Sequence, residues 1–305
     1  MMRTIARNDG IVVHALESGA SAIGSAGVDA GGPSFKPLQQ PNALLVVGRD
    51  MDLNAAGEIW HLLDYRMQMP LSIRDRDQLG GLDWKPYTHV IFAAGEYDEW
   101  LPEFLPRLRQ WVSEGGTLIG LRDGAHWVRA NVLEFIDPEK GVLGPEPGAP
   151  EAVPETPTGH DPSLTEDEVE PYRFPYAVKE ERDALEVIAG AIFAGELDNT
   201  HPLGFGYRDR DIALHKDLKD IMKRTDNPFA AVIVYATPPL LSGYASEANR
   251  IMIEGSAALI AERRQAGSII LFADDPNFRG YWFGTNKLFL NALFFSKAFD
   301  PLPEE

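Results

Sequence analysis

Ala43–Gly48, ALLVVG, is an unbroken run of apolar and β-branched residues closed by a glycine. A strand with one face in water alternates apolar and polar side chains. A continuous run of this length is instead what a strand buried on both faces carries, as in a parallel sheet covered by helices. The residues that follow fit that reading. Between Asn54 and Met67 the apolar residues Ala55, Ile59, Leu62, Leu63 and Met67 recur at three- and four-residue intervals, with Asp52 or Asn54 placed as N-cap. Short strands are expected at Leu71–Arg74 and His89–Ala94. A helix is expected over Trp100–Val112, with Leu101, Leu105, Leu108 and Val112 on one face and Gly115-Gly116 ending it, then a strand at Thr117–Leu121. Strands alternating with helices at this spacing imply right-handed βαβ units. The expected class is therefore α/β, doubly wound, with a mostly parallel sheet.

Downstream, the sequence predicts a helix through Asp183–Ile188, strands at Ala191–Leu197, Ala230–Tyr235 and Ser268–Phe272, and a closing helix at Asn286–Phe299. Residues 18–41 are built from Gly, Ser, Ala and Pro and read as a linker, so residues 1–41 form an N-terminal remnant and residues 42–300 the α/β domain. Residues 137–175 are dense in Pro, Gly and acid, which reads as a mobile insertion; residues 301–305 are a tail.

The chain has 305 residues, a formal charge of −18 and no cysteine. Without a thiol there is no disulfide framework, cysteine-ligated zinc, iron–sulfur cluster or cysteine nucleophile. The negative charge repels phosphate backbones and anionic headgroups, so neither nucleic acid nor a membrane surface is an expected partner. Apolar stretches such as Leu288–Phe295 are far below the ~18 residues that cross a bilayer. The run Ile11-Val12-Val13, broken by His14, lacks a signal-peptide core, and the sequence leaves localisation undetermined.

In an open parallel sheet, chemistry sits beyond the carboxyl ends of the strands. Gly48-Arg49-Asp50 is no dinucleotide fingerprint, and neither G-x-G-x-x-G nor G-x-x-x-x-G-K-[ST] occurs. Gly120-Leu121-Arg122-Asp123-Gly124 has the spacing of a nucleophile elbow, in which small flanking residues let a strained turn lift the central side chain to the sheet's edge. Its centre is Arg122, and a permanently protonated guanidinium cannot attack a carbonyl. His14-Ala15-Leu16-Glu17 with His126 has the outline of a zinc set, but in a strand positions i and i+3 point to opposite faces. Asp198 and His201 could form a carboxylate-oriented base or a weak metal site, Asp274, Asp275 and Arg279 could hold a polar ligand, and Glu96 is a further acid after a strand. Asx-turns and helix entries account for the same residues structurally.

Four stretches resemble the C-terminal region of large bacterial zinc carboxypeptidase-family proteins: AGEIWHLLDYRMQMP (56–70), GAIFAGELDNTHPLGFGY (190–207), PPLLSGY (238–244) and FADDPNFRGYWFGTNKLFLNALFF (272–295). The resemblance covers roughly Ile5–Phe295, and its last stretch is the most specific. It implies a flavodoxin-like, class I glutamine amidotransferase-like domain that follows a peptidase domain, with Ile11–Pro41 as the joining segment. The zinc and the catalytic residues of such proteins belong to the peptidase part, so the resemblance implies no cofactor in this chain. It implies a peptidase domain of the same or an adjacent chain as partner, with a homodimer as another arrangement. With Arg122 where an amidotransferase needs cysteine, the leading expectation is a non-catalytic accessory domain that supports or orients the peptidase. The alternative is a binding module for a small polar or peptide-like molecule, its pocket lined by Glu96, Arg122, Asp123, Asp198, His201 and Arg279. A metal-assisted hydrolase using Asp198 and His201 is the third reading.

Overall fold

A computed structural model describes residues 2–10, 12–21, 27–32, 35–97, 100, 102–137, 141–142 and 175–300. Most of the expected acidic insertion, together with Ile11, Leu101 and the tail, lies outside them. The chain divides into two units, Met1–Gln39 and Gln40–Glu305. The first contains helix α1 (Met2–Asp9) and a turn in which the Ser21 N–H donates to Asp29 Oδ1 at 2.6 Å. Residues 12–16, which include His14, have no regular secondary structure.

The second unit carries, in order, β1 (Ala43–Val47), α2 (Leu53–Trp60), β2 (Leu71–Asp75), β3 (His89–Phe92), α3 (Leu105–Ser113), β4 (Thr117–Leu121) and α4 (Asp123–Asn131). After the small hairpin of β5 (Ile136–Asp137) and β6 (Gly141–Val142) come α5 (Lys179–Glu186), β7 (Ala191–Leu197), β8 (Asp211–Lys216), β9 (Ala231–Ser242) and α6 (Glu247–Ile253). The chain continues through β10 (Ala257–Arg264), β11 (Gly267–Phe272) and α7 (Phe283–Phe294). Nine strands form one sheet in the order β2-β1-β3-β4-β11-β10-β9-β7-β8. Its two faces bury separate cores, because alternate side chains of each strand point to opposite sides. Ala43 and Leu45 pack with Ile59, Leu62 and Leu63 and with Leu288 and Phe289 of α7. Leu44 and Val46 pack on the other face with Leu108 and Val112 of α3 and Val128 of α4.

The sheet corrects the expected doubly wound, mostly parallel, flavodoxin-like arrangement. Pairing is parallel from β2 through β1, β3 and β4 to β11, and antiparallel from β11 through β10, β9 and β7 to β8. Half of the neighbouring pairs are thus antiparallel. For β10–β11 the physical reason is local. Arg264 pairs with Gly267 across a two-residue turn, Gln265-Ala266, and a turn that short can only return the chain antiparallel. Gln265 sits at φ 53° where a hairpin signal expects glycine or asparagine, so the turn carries no sequence mark.

β11 is the strand at which the pairing changes, and Asp274 lies just beyond its end. Asp274 Oδ1 accepts from Lys216 Nζ at 3.0 Å, and its Oδ2 accepts from the hydroxyl of Tyr235 on β9. Lys216 is 0% exposed and also donates to the carbonyl of Asp220 at 2.8 Å. Removing one partner of a buried pair strands the other charge. Lys216→Ala is expected to cost about 3–5 kcal/mol in urea denaturation; a loss no larger than that of an exposed pair, about 1 kcal/mol, would contradict this.

Candidate functional site

The corner read from the sequence is a strained elbow. Arg122 stands between β4 and α4 at φ 52°, ψ −122°, a backbone conformation that costs a non-glycine residue about 1–3 kcal/mol. Its N–H donates to the carbonyl of Phe272 at 2.9 Å, tying the elbow to the end of β11. The flanking glycines are required by close approach. A Cβ on Gly124 would lie 2.5 Å from the carbonyl oxygens of Phe92 and Ala93, and one on Gly120 would lie 2.7 Å from Cα of Ala125.

Beside the elbow is a cavity of about 750 Å³ at the carboxyl ends of β1, β4 and β11, lined by Asp52, Glu58, His61, Arg122, Asp217, Asp275, Phe278 and Arg279 among others. Asp52 caps α2, accepting from the N–H groups of Asn54 and Ala55, and this aims Glu58, two turns on, at the cavity. The helix then widens into a π-helical turn, His61–Arg66, which carries His61. Arg122 is 15% exposed at its side chain, with Nη1 3.6 Å from the Asp217 carboxylate, and its Nε is buried without an acceptor. Phe278 stacks on His215, ring centroids 3.5 Å apart, and the Arg279 guanidinium lies 5.1 Å from the Phe278 centroid.

Two acids meet at the cavity floor. Asp275, 7% exposed, accepts from the Asn277 N–H at 2.7 Å and shares a side-chain hydrogen bond with Glu58. Glu58 Oε1 accepts from the Arg279 N–H at 2.6 Å. Burial, then the hydrogen bond and negative charge of Asp275, pushes the Glu58 carboxyl up to about 9, so Glu58 holds a proton at neutral pH. Burial also raises Asp275, against the pull of its hydrogen bonds and of Arg122.

Of the sequence candidates, the structure brings Arg122, Asp275 and Arg279 together on this cavity. Asp123 sits next in chain to Arg122, but its Oδ2 takes a long 3.4 Å bond from the Gly95 N–H. Glu96 is exposed, its N–H donating to the Asp50 carbonyl at 2.7 Å. Asp198 and His201 lie elsewhere and serve a turn. Asp198 Oδ1 accepts from Thr200 N–H and Oγ1 at 2.9 and 2.6 Å, while His201 Nδ1 accepts from the Leu203 N–H at 3.1 Å and its ring packs on Phe299. Burial lowers His201 to about 4 despite the pull of Asp198. Burial works to raise Asp198, but the Thr200 hydrogen bonds and His201 overcome it and leave the carboxyl below its ordinary value. Among the described residues, no group of three or more His, Asp or Glu is arranged to hold a metal ion.

Sequence reasoning missed Glu58, His61 and Asp217. Glu58 had a signal: it stands three residues after Ala55 and four before Leu62, an acid set into the apolar stripe of its own helix. Lys216 had one too, falling in phase with buried Ile212 and Leu214 along β8.

No family model matches the chain, and no curated protein does. Among solved structures, a cytoplasmic protein of Salmonella typhimurium is similar at 11% identity and TM-score 0.40, over 83% of this chain and 97% of that one. A ThuA-like protein of Bacteroides uniformis is similar at 11% identity and TM-score 0.43, over 85% and 91%. A β-galactosidase of Bacillus circulans is similar at 13% identity and TM-score 0.36, over 85% of this chain but 30% of the enzyme. All three likenesses are remote, and the functional reading rests on the cavity.

The raised carboxyl of Glu58 makes stability pH-dependent. Its folded value, about 9, lies above the ordinary 4.5, so the folded chain holds an extra proton between those pH values and loses stability as pH rises through them. Glu58→Gln, a neutral replacement for the protonated acid, is expected to flatten the fall in urea midpoint between about pH 5 and pH 9. Parallel wild-type and variant curves would contradict the assignment.

Proposed function

We propose that the chain is a non-catalytic α/β module that binds a small polar molecule in the strand-end cavity, with Arg122 as its principal binding group. The observation that carries this is the placement of a guanidinium at the apex of a strained elbow, with Nε buried and lacking an acceptor beside a cavity of about 750 Å³. Strain of this kind persists where the surrounding structure over-determines it, and it clusters at sites that act on ligands. The guanidinium cannot serve as nucleophile, but it can donate to an acceptor group on a ligand. The volume falls in the range of small-molecule sites.

An accessory role in a zinc carboxypeptidase-like protein is the wider setting of this reading, with the module supporting or orienting a peptidase domain. Its support is the resemblance of the four stretches, two of which build the cavity: residues 56–70 supply Glu58 and His61, and residues 272–295 supply Asp275, Phe278 and Arg279.

The test is calorimetry and thermal shift on the full chain with small carboxylates, inorganic phosphate, amines and polyols, alongside assays for glutamine and C-terminal peptide hydrolysis. At least one probe class is expected to bind, to weaken about tenfold to hundredfold in Arg122→Ala, and to undergo no turnover. Unchanged affinity in Arg122→Ala, or a hydrolysis that Arg122→Ala abolishes, would overturn the reading.

A further inference from the structure

Of the ionisable groups that line the cavity, Asp52, Glu58 and Asp275 are engaged by the chain's own N–H groups, whereas His61 and Arg279 are not. Asp52 accepts from the N–H groups of Asn54 and Ala55, Glu58 Oε1 from that of Arg279, and Asp275, 7% exposed, from that of Asn277. The Arg279 side chain is exposed and makes no hydrogen bond or ion pair with a described residue; its guanidinium lies 5.1 Å from the Phe278 centroid. His61 is half-buried, and its ring nitrogens hold no hydrogen bond to a described residue. Arg122 faces Asp217 at 3.6 Å, beyond hydrogen-bond distance. The open hydrogen-bonding capacity of the lining is therefore mainly basic.

Packing fixes these groups side by side. His61 opens the π-helical turn, three residues after Glu58 on the same helix face, with its ring stacked on Tyr65 at 5.2 Å between centroids. Arg279 and Gly280 are both left-handed, φ 50° and 64°, and the turn they make comes up against His61: a Cβ on Gly280 would lie 3.4 Å from His61 Nδ1. The Arg279 N–H on Glu58 fastens the same turn to α2. Phe278, itself stacked on His215, supports the guanidinium. Arg279, like Arg122, is thus a cavity arginine on a strained backbone.

We propose that His61 and Arg279, together with Arg122, form the seat of an oxyanion, a carboxylate or phosphate group carried by the cavity's ligand. The inference rests on the reading of the cavity as a binding site and adds the charge of what it binds. Guanidinium and imidazole N–H groups match the several acceptor sites of an oxyanion, and such charge-assisted bonds are the strong ones. The charge of −18 does not oppose this, because at physiological salt exposed charges beyond about 8 Å are screened and the groups in contact decide. An ammonium would need acceptors, and those of Asp52, Glu58 and Asp275 are already engaged by N–H groups.

The experiment is isothermal titration calorimetry of the full chain at constant ionic strength in chloride, with acetate, inorganic phosphate, ethylene glycol and ethylamine as probes. Acetate, phosphate or both are expected to bind more tightly than glycol and ethylamine, and the better of the two identifies the group carried. Arg279→Gln should weaken oxyanion binding about tenfold to hundredfold, and His61→Phe, which keeps a ring on Tyr65, about threefold to tenfold. Arg250→Gln, at an exposed arginine of α6 outside the lining, should leave it unchanged. If Arg279→Gln fails to fold, Arg279→Lys takes its place, since it keeps the charge but loses the fork. Unchanged oxyanion affinity in either the Arg279 or the His61 variant, or an equal loss in Arg250→Gln, would overturn the inference. Preferred binding of glycol or ethylamine that Arg122→Ala weakens would overturn it while leaving the cavity as a binding site. Failure of every probe to bind would overturn both.

Discussion

A lysine with no exposed surface ties the two halves of the sheet together. Lys216 ends β8 and holds Asp274, which follows β11, where parallel pairing gives way to antiparallel. Tyr235 on β9 closes the same carboxylate from its other oxygen. A carboxylate only 12% exposed is stabilised at this position by the occupation of both oxygens. The next residue, Asp275, turns to the cavity and meets Glu58. One dipeptide thus anchors the antiparallel half through its first acid and forms the cavity floor through its second.

The elbow supplies another part of the cavity wall under a similar constraint. Gly120 lets β4 approach α4, and Gly124 lets α4 approach the end of β3, within distances that no Cβ could share, and the chain turns through Arg122 to make that approach. The geometry that elsewhere exposes a nucleophile here exposes a permanent positive charge. The cavity accordingly offers the Arg122 guanidinium and the buried acids Glu58 and Asp275 within one lining, an arrangement suited to recognition.

The parallel half of the fold was legible because its strands are buried on both faces and its helices carry clean apolar stripes. ALLVVG, HVIF and TLIGL announce themselves by composition, and Ala55, Ile59, Leu62 and Leu63 are buried as their spacing requires. In the antiparallel half β7, β9 and β11 were legible as strands, while β8, β10 and the direction of pairing were not, for two reasons. The β10–β11 turn has no glycine or asparagine at its positive-φ position, and β10, AALIAERR, ends in charged residues that disguise a buried strand. Of the site, Arg122, Asp275 and Arg279 were found by looking beyond strand ends, and the GLRDG spacing identified the elbow. Asp198 and His201 misled because an Asp and a His three residues apart satisfy a turn as readily as they assemble a base. Glu58 was hidden by tertiary context: its partner is more than 200 residues away in sequence, and only the packing of α2 against the end of β11 makes the two acids one titrating unit.

The account turns on that unit, and nuclear magnetic resonance can observe it directly. A pH titration of the Glu58 side-chain carboxyl carbon, assigned by its loss in Glu58→Gln, should show a midpoint near 9, with Asp275 responding in the same transition. A Glu58 midpoint in the ordinary carboxylate range, independent of Asp275, would contradict it.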